Sequence, residues 1–154
     1  MKSYKLLIAL LPFFVYPAFS QDTFSIVCAD SSTREVGSAG ASCVDLIAFG
    51  ITDASFLGQI FPDTGAINTQ ASYLPSNQQN AAQRMRTSDS PKAMAEWVEA
   101  NDVEGNSGIR QYGFVKFMGK SPQSAGFTGQ TCIDYKNHVA GSVDGIAYSI
   151  QGNI

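Results

Sequence analysis

Histidine is almost missing from this chain: one residue, His138, in 154. A multi-histidine metal centre therefore cannot be built from a single copy. Basic residues are scarce too, ten Lys and Arg against thirteen Asp and Glu for a net charge of −3. The one basic cluster lies at the extreme N-terminus. Phosphate backbones are met by Lys and Arg that displace counterions, so nucleic acid is excluded as the expected partner. Charged residues make up only 15% of the chain, while the apolar fraction is an ordinary 44%. That balance belongs to a folded domain and not to a disordered one. The length suffices for one domain with a real core. No P-loop, paired CxxC, HExxH or GxSxG is present, nor any internal repeat. Gly37 and Gly40 make no dinucleotide fingerprint, because a hairpin strand and not a helix surrounds them.

The first twenty residues read as an address. Lys2 and Lys5 precede an apolar run from Leu6 to Phe19, broken only by Pro12 and Pro17. The run is too short to cross a bilayer comfortably, and Ala18-Phe19-Ser20 presents small residues where a signal peptidase reads. The pattern predicts a signal peptide over 1–20, cut after Ser20, and one domain over 21–154. A retained short membrane anchor is the alternative. No cysteine follows the cut, so a lipid has no attachment point. Loss of Lys2 and Lys5 leaves eight basic residues against thirteen acidic, a net charge of −5. The expected product is an acidic protein, secreted or periplasmic, with no membrane association after cleavage.

Export changes how the cysteines read, because disulfides persist in oxidising compartments. Cys28, Cys43 and Cys132 allow three single pairings and leave one thiol over. Cys28 alternates with Phe24 and Ile26 and is expected to be a buried small hydrophobe. Cys43 and Cys132 sit near strand ends, and a Cys43–Cys132 disulfide is the expected pairing. Closing so long a loop would stabilise the fold by roughly 4–5 kcal/mol in the chain-entropy account.

Alternation predicts a strand over Thr23–Ala29, a polar turn over Asp30–Arg34 and a returning strand over Glu35–Ser42. The side chains of the returning strand are nearly all small, which suits a close neighbour or a cleft wall. Val44 to Asp63 reads as irregular, and Gly65–Ala71 as a third strand. Ser76 is expected to cap a helix over Asn77–Arg86. Ser90-Pro91 opens a second helix, with proline where its missing N–H does no harm. Met94, Trp97 and Val98 form its apolar stripe, with Glu96 and Glu99 facing water. Ile109–Phe117, Ser124–Thr128 and Ile146–Gln151 complete the strands, and His138 falls in a loop. Strands flanking a central helical pair make an α+β arrangement.

One residue stands out chemically. Thr23 opens the first strand close to the expected mature N-terminus. A hydroxyl on the first residue of a chain has its own α-amine as a built-in base, and that amine titrates at about 7.7–8.0.

Thr23-Phe24-Ser25-Ile26-Val27 followed by Val36-Gly37-Ser38-Ala39 resembles the opening hairpin of the family catalogued as domain of unknown function 1028. Gly65-Ala66 with Thr69-Gln70, Arg110-Gln111-Tyr112-Gly113, Phe127-Thr128-Gly129 and Tyr148-Ser149-Ile150-Gln151-Gly152-Asn153 resemble its later signatures, in order. The resemblance covers essentially the whole of the expected mature chain. It implies an N-terminal-nucleophile (Ntn) hydrolase-like αββα sandwich, incomplete at its C-terminus. It also implies amide-bond hydrolysis by an N-terminal Thr on a small-molecule or peptide substrate, with no metal and no organic cofactor. Thr23 would be nucleophile and, through its freed amine, base. Asn68, Thr69 and Gln70 would line the cleft, and His138 and Asn153 are candidates for orienting substrate or donating to an oxyanion. The chemistry requires a second trimming between Asp22 and Thr23. Without it, the same sandwich would be a non-catalytic secreted binding or interaction module. A homo-oligomer is left open.

Overall fold

Side chains in the first strand alternate between a closed and an open side. Thr23, Ser25, Val27 and Ala29 are buried, while Phe24, Ile26 and Cys28 face outward. The computed structural model describes residues 22–133 and 135–154, and the expected signal peptide over 1–20 lies outside those residues. Strand β1 (Thr23–Asp30) turns at Asp30, whose carboxylate accepts the Ser32 N–H at 2.7 Å. The chain returns as β2 (Val36–Ser42). Next come β3 (Gly58–Phe61), β4 (Gly65–Ala71), α1 (Pro75–Met85), α2 (Pro91–Ala100), β5 (Arg110–Met118), β6 (Ser121–Thr128), β7 (Lys136–Val143) and β8 (Ile146–Asn153).

The strands form two antiparallel four-stranded sheets, ordered β2-β1-β8-β7 and β3-β4-β5-β6. Both helices lie on one face of the second sheet. Ala81, Ala82 and Met85 of α1, with Met94, Ala95 and Val98 of α2, pack on Ile67, Tyr112 and Phe114. The other face of that sheet meets the first sheet through Ala66, Val115 and Phe117 against Val27, Ala29 and Ala147. The described residues thus stack as helices, sheet, sheet. The outer face of the first sheet stays open among them: Phe24, Val139 and Ile150 are 62%, 55% and 42% exposed.

The α+β class and most strands follow the sequence expectation, and several details differ for identifiable reasons. Cys28 is half-buried on the outer face, because the buried side of β1 carries the small and polar residues. The stretch expected to be irregular holds β3 and two 3₁₀ turns, Leu46–Phe49 and Ala54–Leu57. Helix α1 begins at Pro75 with no side-chain cap, so Ser76 lies within it. Ser90 caps α2 as expected, accepting from the Ala93 N–H at 3.2 Å. His138 is on strand β7 and not in a loop, and β8 continues past Gln151 to Asn153.

The expected Cys43–Cys132 disulfide is not formed. Cys132 is buried beneath β5, its thiol donating to the Arg110 carbonyl at 3.3 Å. Cys43 follows the edge strand of the other sheet, exposed, with its sulfur accepting from the Asp22 N–H at 2.9 Å.

Candidate functional site

Strand β1 is central in its sheet, so Thr23 has neighbours on both sides: Ser42 of β2 and Asn153 of β8. The three residues meet at one end of the sandwich. Thr23 is 8% exposed and Asn153 2%, and the Thr23 and Ser42 hydroxyls lie 2.9 Å apart. Gln70 reaches across from β4 in the facing sheet. Its Nε2 donates to the Thr23 carbonyl at 3.0 Å, to Gln111 Oε1 at 2.8 Å and to Asn153 Oδ1 at 3.2 Å.

Gln70 is also the hub of a buried polar chain between the sheets. Ser25 donates to its Oε1 at 2.5 Å, and Gln151 Nε2 donates to the Ser25 hydroxyl at 2.7 Å. On the other side, Gln111 donates to Thr128 Oγ1 at 3.0 Å, and Thr128 bonds His138 Nδ1 at 2.9 Å. Burial lowers the His138 pKa, favouring the neutral ring. Glycines make room for these side chains. A Cβ at Gly126 would fall 2.4 Å from the His138 ring, and one at Gly113 would fall 2.3 Å from Gln151 Oε1. A satisfied network in a low-dielectric layer holds its members in one arrangement. Thr23 is therefore presented from a fixed frame.

Thr23, Ser42 and Asn153 border a pocket of about 260 Å³ walled by Val44, Leu46, Phe49, Ile51, Phe56 and Leu57. The segment carrying this wall is shaped by its own polar residues. Asp45 accepts from the Ala48 N–H at 3.3 Å and Asp53 from the Ser55 N–H at 2.8 Å, capping the two 3₁₀ turns. Phe56 stands edge-on to Tyr73 with ring centroids 4.8 Å apart. The Tyr73 hydroxyl donates to Gln78 at 3.0 Å, and burial raises its pKa. Ala71, also on the wall, has a φ of 67°. That left-handed conformation stores roughly 1–3 kcal/mol in a non-glycine residue, a strain that concentrates at ligand sites. Arg110, paired to the buried Asp102, donates to the Ser72 carbonyl and pins the strand end that bears Ala71. Larger depressions of 560 and 770 Å³ exist on the molecule, and neither is lined by Thr23.

Of the residues expected at the site, Thr23, Gln70 and Asn153 come together. Asn68 is two residues along β4 on the same face, accepting from the Ser38 hydroxyl at 2.7 Å beside the 560 Å³ depression. Thr69 points to the opposite face, toward α1, where Gln78 donates to its hydroxyl at 3.0 Å. His138 joins the same network through Thr128 and Gln111 and does not reach Thr23 directly. Sequence reasoning missed Ser42, Ser25, Gln111 and the wall from Val44 to Leu57. A signal was present: Thr23 with Ser25, and Ser149 with Gln151 and Asn153, repeat at intervals of two. That spacing places them on one face of a strand. Among the described residues, no group of three or more His, Cys, Asp or Glu is arranged to hold a metal ion, and no helix is long and apolar enough to cross a membrane.

The family model described as Family of unknown function (DUF1028) matches residues 23–154. No match was found among curated proteins or among solved structures.

Proposed function

The chain belongs to the DUF1028 family of unknown function, and on that premise we propose that it is an exported amidohydrolase with Thr23 as N-terminal nucleophile, built on an Ntn-type sandwich. One coincidence carries the reading. The first residue of the matched domain, the first residue of the first described strand and a hydroxyl-bearing residue lining an apolar pocket are the same threonine.

The chemistry needs only groups of the chain. After removal of the residues through Asp22, the α-amine of Thr23 lies beside its own hydroxyl. At its ordinary pKa of about 7.7–8.0, part of it is neutral at physiological pH. The amine takes the Oγ1 proton as Oγ1 bonds to the substrate carbonyl carbon, whose oxygen becomes an oxyanion. The carbon–nitrogen bond then breaks and the ammonium returns its proton to the departing amine. Water, deprotonated by the same amine, hydrolyses the ester and regenerates Thr23. Asn153, paired with Thr23 across β1 and β8 and lining the pocket, is the residue assigned to receive the oxyanion, and such a donor is worth roughly 3–4 kcal/mol. Ser42 orients the Thr23 hydroxyl. Gln70 fixes the Thr23 carbonyl and Asn153 together, acting as a positioning residue.

A second reading is supported by Asp22. Its carbonyl accepts the Cys43 N–H at 2.9 Å, extending the β1–β2 ladder upstream of Thr23. A mature chain that keeps Asp22 leaves Thr23 without an amine and uses the pocket as a ligand site alone. Mass spectrometry of the mature N-terminus, with turnover measured for wild type and Thr23→Ala, separates the two. The hydrolase begins at Thr23 and loses turnover in the variant. A mature chain retaining Asp22, or a variant with full turnover, overturns this assignment.

A further inference from the structure

We infer that the group bound beside Thr23 is an uncharged apolar substituent, about the size of a phenyl ring or a six-carbon chain. For substrate specificity the inference rests on the amidohydrolase reading, and it concerns the same pocket. Seven apolar side chains, Ala71 included, form the wall, and among the described residues no Lys, Arg, Asp or Glu lines it. A charged substituent against that apolar wall would lose hydration and meet no charged side chain there, which disfavours it. Tyr73 engages its hydroxyl with Gln78, so its ring is what remains for the ligand. The neighbouring 560 Å³ depression differs in kind, since Ser38, Asp53, Ser55 and Asn68 line it.

Size follows from volume. An enclosed apolar cavity of about 150 Å³ is enough to hold benzene, and this pocket, open to solvent beside the 73% exposed Phe49, measures about 260 Å³. Thr23, Ser42 and Asn153 are among the residues that line the same pocket. A single ligand can therefore set an amide against Thr23 and its apolar substituent against the wall. Burial of one methylene contributes about 0.8 kcal/mol, or about fourfold in kcat/KM. Several methylenes give well over tenfold.

The test uses the mature protein and small amides whose only variable is the substituent. Hexanamide and phenylacetamide place it on the acyl side, N-pentylacetamide places it on the amine side, acetamide lacks it and succinamate replaces it with a charge. Release of ammonia or amine reads turnover, and calorimetry reads binding of the same compounds. The expected result is kcat/KM at least tenfold above acetamide in one of the two apolar series, with succinamate at or below acetamide. Phe49→Ala, at a largely exposed position on the wall, is expected to lower the apolar substrate's kcat/KM more than acetamide's. Turnover with no apolar preference, or with preference for succinamate, overturns the inference and leaves the hydrolase reading standing. Absence of turnover, with hexanamide binding tighter than acetamide and weakened by Phe49→Ala, upholds the apolar pocket and overturns the hydrolase reading. Absence of both turnover and selective apolar binding overturns the inference.

Discussion

Replacing Gln70 with leucine tests whether the buried polar chain holds the site. Leucine is close in volume and leaves little cavity, so the effect isolates hydrogen bonding. In the folded protein Gln70 is 1% exposed and bonds Ser25, Gln111, Asn153 and the Thr23 carbonyl. In the variant the Ser25 hydroxyl and the oxygens that faced Nε2 lose a partner in a place water scarcely reaches. A buried group left unsatisfied costs about 1–3 kcal/mol. Neighbours share the loss, because Gln151 still donates to Ser25 and Gln111 still donates to Thr128. The expected destabilisation is about 3–5 kcal/mol, a large part of a typical domain's 5–15 kcal/mol. Urea unfolding measures it, and combining the change with Ser25→Ala should show a coupling of about 0.5–3 kcal/mol. A loss below 1 kcal/mol with no coupling would refute the claim that this network sets the frame around Thr23.

Arg110→Ala should destabilise by about 3–5 kcal/mol, because it leaves the Asp102 carboxylate, 2% exposed, without its cation. Burial alone would raise the Asp102 pKa, but bonds from Arg110, the Asn106 and Glu104 backbone N–H groups and Asn77 outweigh it and hold it below the ordinary value. A depressed folded pKa means stability that is present above the unfolded value of about 3.9 and is lost as pH falls through the folded one. Urea midpoints of wild type should therefore drop more below pH 4 than those of Asp102→Asn, and parallel curves would count against the assignment. Gly126→Ala should lose about 1–3 kcal/mol, since the added carbon meets the His138 ring at 2.4 Å, and His138→Ala should restore part of that loss. Iodoacetamide should label Cys43 in the native protein and Cys132 only on unfolding, because Cys132 is 5% exposed and burial raises its thiol pKa. Recovery of a Cys43–Cys132 disulfide would contradict the structure.

Much of the fold was legible because strand alternation and helix caps are local. Gly65–Ala71 and the Ser90-Pro91 helix start were read where they lie. The face assignment of β1 was not, since Phe24, Ile26 and Cys28 look like a core stripe in isolation. The two sheets instead meet through Thr23, Ser25, Val27 and Ala29. Only a facing sheet with glycine at 113 and 126 and glutamine at 70 and 111 makes that polar face the inner one, and such pairing is not local. The site divides in the same way. Thr23 was readable from its place at the start of a strand. Ser42 entered through β-pairing, and the apolar wall entered through two short 3₁₀ turns that carry no strong periodic signal.

The proposed hydrolysis requires that Thr23 become the terminal residue and act through its own amine. The most direct measurement is the N-terminal residue of the mature protein, taken together with amide turnover by that same sample. Threonine is expected at position one, with a kcat/KM that rises as pH passes through about 8, where the amine loses its proton. A mature chain that starts at Gln21, or at any residue before Thr23, and still turns over amides would contradict that requirement.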